Sequence, residues 1–201
     1  MTTYGILLFT DAEELDAIGP WEIFTASAML RAQDAGSAVD EVLTVAASLE
    51  PVRMNKGLRV LPDATLDDHP DLDVVLVPGG VGTYAVQDDD ATLAWLRKVD
   101  GSSTWTSSVC TGSFLLHASG VADGKRLATH WLVEDGLAEA GADVERRYRW
   151  VVDGKVVSSQ GVSAGIDMAL WLVGAVHGPD HAREVQRYVQ YDPAPPYQHA
   201  S

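Results

Sequence analysis

Residues 103–120 read STWTSSVCTGSFLLHASG. A strand, Ser103–Val109, runs into Cys110, and a helix, Thr111–Ser119, leaves it and is closed by Gly120. A strand that turns sharply into a helix, with small residues two positions either side of the middle one, is the pattern of a nucleophile elbow. Ser108 and Gly112 supply those small residues. The N–H groups and dipole at the start of the following helix favour a thiolate. The competing reading is an inert buried thiol, because free cysteine is among the most buried residue types.

Outward from this segment, strands and helices alternate. Tyr4–Phe9 is a continuous apolar run, as expected of a strand covered on both faces of a parallel sheet, Val42–Ala47 reads as a second strand, and Asp73–Val77 as another buried one. Gly19-Pro20 predicts a helix through about Ala32, with Pro20 in its first turn. Val52–Leu66 reads as an irregular ribbon around an Asn55-Lys56-Gly57 turn. Helices are expected over Asp90–Val99, Trp131–Ala140, Ser163–Val176 and from Pro179, and a short strand over Leu127–Thr129. Asp153-Gly154 between Glu145–Val152 and Lys155–Ser158 predicts a hairpin. The pattern gives an α/β fold with a doubly wound, mostly parallel sheet, in which ligands sit at the carboxyl ends of the strands. Asp16, Gly79-Gly80 and Cys110 fall at such ends.

The 201 residues fit one domain, 1–201, with 46% hydrophobic and 21% charged residues. No apolar run is long enough to span a bilayer, and the first residues lack the basic region of a signal peptide, so a cytoplasmic protein is expected. A net charge of −15 argues against nucleic-acid partners. One cysteine excludes an internal disulfide or a cysteine-based metal cluster.

Each candidate has a competing structural reading. Gly79-Gly80 presents unobstructed N–H groups able to cradle a developing negative charge, or is a simple turn. Asp16, set among apolar neighbours in LDAIGP, is a proton donor with a raised pKa, or caps the next helix. His130 either pairs with Cys110 or supports the site structurally, the second being favoured. Gly161-Val162-Ser163-Ala164-Gly165 matches the serine elbow pattern, but too little chain follows to supply the further strands a serine hydrolase needs, although His177, His181 and His199 do follow. His177 and His181 have metal-ligand spacing on a helix, which Gly178-Pro179 interrupts, so no metal site is expected.

With these residues placed, the chain resembles the ThiJ/PfpI superfamily, a class I glutamine amidotransferase-like domain of flavodoxin-like fold. The similar motifs are Gly5–Phe9, Leu15-Asp16 with Gly19-Pro20, Pro78-Gly79-Gly80, Ser108–Ser113, Gly124-Lys125-Arg126, Thr129-His130-Trp131, Ala164–Asp167 and Tyr191–Tyr197. Asp at 16 together with Thr at 111 is similar to the isonitrile hydratase branch. Glyoxalase-like and peptidase-like branches usually carry Glu at the first position, and the peptidase-like ones His at the second. The resemblance implies Cys110 as nucleophile, Asp16 as general acid/base, Thr111 as a hydroxyl that positions water, and Gly79-Gly80 as backbone donors. It implies a homodimer and no cofactor. Two alternatives stand beside it: a glyoxalase- or deglycase-like enzyme acting on α-oxoaldehydes, and a cysteine redox sensor without catalysis.

Overall fold

The computed structural model describes residues 1–33, 36 and 38–197. The first half of the chain forms β1 (Thr3–Leu7), α1 (Glu14–Ala32), β2 (Glu41–Ala46), β3 (Val52–Arg53), β4 (Arg59–Val60), β5 (Ala64–Thr65), β6 (Val74–Val77), α2 (Thr83–Val86) and α3 (Asp90–Ser102). The second half adds β7 (Trp105–Val109), α4 (Gly112–Ala118), β8 (Arg126–Leu127), a 3-10 turn (Trp131–Val133), α5 (Glu134–Glu139), β9 (Asp143–Val144), β10 (Trp150–Asp153), β11 (Val156–Ser159), α6 (Ala164–His177) and α7 (Pro179–Tyr188). Seven strands make one sheet in the order β10-β11-β7-β6-β1-β2-β5, parallel throughout except for the β10–β11 hairpin. This is the expected doubly wound α/β architecture. Strands β1 and β6 are buried along their whole length, which explains their unbroken apolar sequence. Helices α1, α6 and α7 cover one face, while α4 packs on β6 and β7 from the other.

The chain lays β1, β2 and β5 in one direction and then returns to add β6, β7 and β11 on the other side of β1. The strand order therefore reverses between β1 and β6, and ligand crevices form outside the carboxyl ends of strands at such a point. The loops leaving β1, β6 and β7 all open there.

Helix α1 departs from expectation. It starts at Glu14 rather than at Gly19-Pro20, and Pro20 lies inside it. A proline there forgoes one backbone hydrogen bond. The proline is buried, and a methyl group placed on Gly165 would lie 3.5 Å from its ring, so close packing between α1 and α6 accommodates it. Asp16 is thus the third residue of the helix, not its cap. The hairpin is shorter than expected, with β10 beginning at Trp150 rather than Glu145, and the expected helix from Trp131 divides into the 3-10 turn and α5.

Candidate active site

Cys110 follows β7 with φ of 57°, the left-handed region that a non-glycine residue adopts only under constraint. The constraint is the crowding of two strand ends. A Cβ on Gly112 would lie 2.3 Å from the Val77 carbonyl oxygen, and one on Gly79 would lie 2.5 Å from the Thr111 nitrogen. Only glycine fits at either position, so the β6 and β7 turns lock into each other. The Cys110 N–H faces the carbonyls of Ser159 (3.2 Å) and Gln160 (3.3 Å).

Asp16 reaches this elbow from α1 and is fully buried. Its Oδ2 accepts the Gly79 N–H at 2.9 Å. Its Oδ1 makes no hydrogen bond of normal geometry among the described residues, although the Cys110 thiol is near enough to pull slightly on the carboxyl. Burial is the main force on the acid and raises it to about 7; the Gly79 hydrogen bond opposes this, and the nearby Glu13 charge adds to it. A carboxyl that would otherwise be fully ionised is therefore half-protonated near neutral pH.

The thiol contradicts the expectation of a thiolate. Burial, followed by the Asp16 charge, pushes Cys110 up to about 12, against the weaker pull of the Thr111 and Val162 N–H groups and the Thr111 hydroxyl. A helix dipole is worth about 0.3–1 kcal/mol at such a position, and desolvation outweighs it. The resting group is a thiol beside a carboxyl, and the two form one coupled pair.

The Gly79-Gly80 donors also need correcting. The Gly79 N–H is taken by Asp16, and the Gly80 N–H is donated to Thr111 Oγ1 at 2.8 Å. Neither is free for a substrate. The N–H groups that do face the sulfur belong to Thr111 and Val162, and Val162 has φ of 49°, a strained conformation for a β-branched residue. Thr111 lines the cavity, but its hydroxyl also lies 3.0 Å from Thr83 Oγ1 and 3.2 Å from the Gly80 carbonyl. Its single proton is contested by neighbours, so it is badly placed to position water.

A cavity of about 220 Å³ opens over Cys110. Val81, Tyr84, Leu132, Val133 and Val162 make an apolar wall, and Glu13, Asn55 and His130 a polar one. Lys56 bonds to Glu13, and Asn55 Nδ2 donates to Glu13 Oε2 at 3.3 Å, fastening the 55–57 turn against the start of α1. Sequence reasoning missed Glu13, Asn55, Lys56, Thr83 and Val162 as site residues; the Asn-Lys-Gly turn and the glycine-flanked segment holding Val162 were the visible signals. His130 lines the cavity, but its Nδ1 accepts the Leu132 N–H at 3.2 Å, capping the 3-10 turn. Gly161 leaves room for that ring, since a Cβ there would lie 2.1 Å from His130 Cδ2.

The remaining candidates lie elsewhere. Ser163 is exposed and simply precedes α6. His177 and His181 do approach, with ring centres 5.6 Å apart, yet His177 Nε2 lies 2.8 Å from Asp40 and His181 Nε2 2.9 Å from Ser27. No metal-binding group forms among the described residues, and His199 lies outside them. A larger cavity, about 450 Å³, runs along α7 between Arg183 and Asp192, but its lining contains no nucleophilic thiol or serine.

A model of the DJ-1/PfpI family matches residues 4–175. The chain belongs to that family. It is 37% identical to an isonitrile hydratase of Pseudomonas putida over 197 residues, spanning 98% of this chain and 82% of that one. It is 26% identical to the glutathione-independent glyoxalase DJR-1.2 of Caenorhabditis elegans over 177 residues, 85% of this chain and 86% of that one. The crystal structure of a ThiJ/PfpI family protein from Pseudomonas syringae superimposes with a TM-score of 0.89 at 32% identity, covering 100% of this chain and 79% of the other. In this chain the elbow cysteine faces a buried carboxyl, and burial raises both groups above their ordinary values. No helix among the described residues is long and apolar enough to cross a membrane.

Proposed function

We propose that this DJ-1/PfpI protein hydrates isocyanides to N-substituted formamides. The observation that carries the reading is the buried Asp16 carboxyl, raised to about 7 and set against the Cys110 thiol. A covalent route for isocyanide hydration uses a nucleophile and one proton delivered to the same carbon, and the pair supplies both. Asp16 Oδ1, which has no hydrogen-bond partner of normal geometry among the described residues, takes the thiol proton as sulfur attacks the terminal carbon. Asp16 then returns that proton to the carbon, giving a thioimidate, RN=CH–S–Cys110. Water adds across the C=N bond: its oxygen bonds to carbon as one of its protons passes to the Asp16 carboxylate, which hands that proton on to the nitrogen. Collapse releases R–NH–CHO and the thiol. Covalent catalysis divides one hard addition into two easier ones. The Thr111 and Val162 N–H groups stabilise charge on the sulfur, in the role first expected of Gly79-Gly80.

The active form of the pair holds one proton. Activity therefore rises through about pH 7, where the second proton leaves, and stays level above it. A redox sensor requires an acidic thiol, and burial moves Cys110 the other way. The protein is further proposed to act on a small molecule in the cytoplasm and, as the resemblance of its motifs implied, as a homodimer. The test is a panel of alkyl and aryl isocyanides beside methylglyoxal, with wild type and Cys110→Ala. Formamide should form only with Cys110 present. Consumption of methylglyoxal alone, dependent on Cys110, would make the glyoxalase-like reading the right one.

A further inference from the structure

Behind the thiol, two hydroxyls converge on one backbone oxygen. The Cys110 carbonyl accepts Ser113 Oγ at 3.1 Å and Thr129 Oγ1 at 3.0 Å, and both residues are fully buried. The α4 hydrogen-bond ladder does not take this oxygen, because the Phe114 N–H turns to the Thr111 carbonyl at 3.0 Å. Ser113 is local, whereas Thr129 comes from the segment after β8, so its contact depends on tertiary folding.

A trans peptide is planar, with its C=O and N–H pointing in opposite directions. Holding the 110 carbonyl on one side thus aims the Thr111 N–H to the other, where it faces Cys110 Sγ. Hydrogen bonds accepted by the oxygen also polarise the N–H of the same unit. A residue at φ 57° keeps that conformation only where its surroundings over-determine it. We propose that Ser113 and Thr129 are positioning residues that clamp the 110–111 peptide and keep its N–H on the reacting sulfur. The proposal rests on Cys110 as the nucleophile and is independent of which electrophile it attacks.

Iodoacetamide alkylation of Cys110, followed against pH, reads the sulfur without any substrate. Thr129→Val and Ser113→Ala each remove one hydroxyl, and Thr129→Ser keeps it. Each single removal should lower the alkylation rate above pH 7 about tenfold, the effect of raising the thiol by one pH unit. The inflection near pH 7 should stay, since Asp16 sets it. Thr129→Ser should remain within about twofold of wild type. Wild-type alkylation in both Thr129→Val and Ser113→Ala would overturn the proposal. So would slowing that moves the inflection as well, or that tracks melting temperature across all three variants, Thr129→Ser included. Formamide production is scored separately, so a failed hydratase reading leaves this result interpretable.

Discussion

Replacing Asp16 with Asn should separate the acidity of the sulfur from catalysis by the pair. In the wild type, the reactive thiolate arises chiefly by moving its proton onto Asp16. That transfer leaves the charge of the pair unchanged, so above about pH 7 the thiolate population barely depends on pH. In Asp16→Asn the proton must go to water, and each pH unit raises the thiolate about tenfold until the thiol itself titrates. The lost carboxylate also removes a charge that holds the thiol up. Iodoacetamide alkylation by the variant should therefore climb steadily from pH 7 to 9 while the wild type flattens, the ratio widening about tenfold per unit at first. Isocyanide turnover should fall by roughly 10²–10⁴, the usual worth of general acid–base catalysis. Parallel alkylation profiles in the two proteins, or turnover within a few-fold of wild type in the variant, would refute the shared-proton mechanism.

The same residue has a cost in stability. Because the unfolded chain ionises Asp16 near the ordinary 3.8 and the folded protein only near 7, the fold loses up to roughly 4 kcal/mol as pH rises through that window. Asp16→Asn should thus melt above wild type at pH 8, with no such advantage at pH 4. Glu13→Gln removes a charge that raises Asp16, and Lys56→Gln removes one that lowers it. The acid limb of the rate profile should move to lower pH in the first and to higher pH in the second. Gly161→Ala places a methyl group against the His130 ring and should cost about 1–3 kcal/mol by thermal or denaturant unfolding.

Much of this was legible in the chain because the local signals agree with one another. Unbroken apolar strands, the Gly154 turn with φ of 64°, and small residues flanking Cys110 all follow from backbone geometry that sequence states directly. What escaped depends on partners distant in sequence. Pro20 has the local character of a first-turn residue, yet packing against α6 lets α1 begin six residues earlier. The glycines at 79 and 80 were visible, but not that Asp16 and Thr111 would occupy their N–H groups. The thiol reading failed for a similar reason: a helix start is visible in the sequence, whereas the burial that overrides its small dipole is not.

The most direct test of the central claim is intact mass measured on protein quenched during turnover of a single isocyanide. Wild type should carry one adduct equal in mass to that isocyanide, mapped to the Cys110 peptide and disappearing as formamide accumulates. Cys110→Ala should show neither adduct nor formamide. Formamide produced at the wild-type rate by Cys110→Ala, or its complete absence with wild type across several isocyanides, would contradict the account.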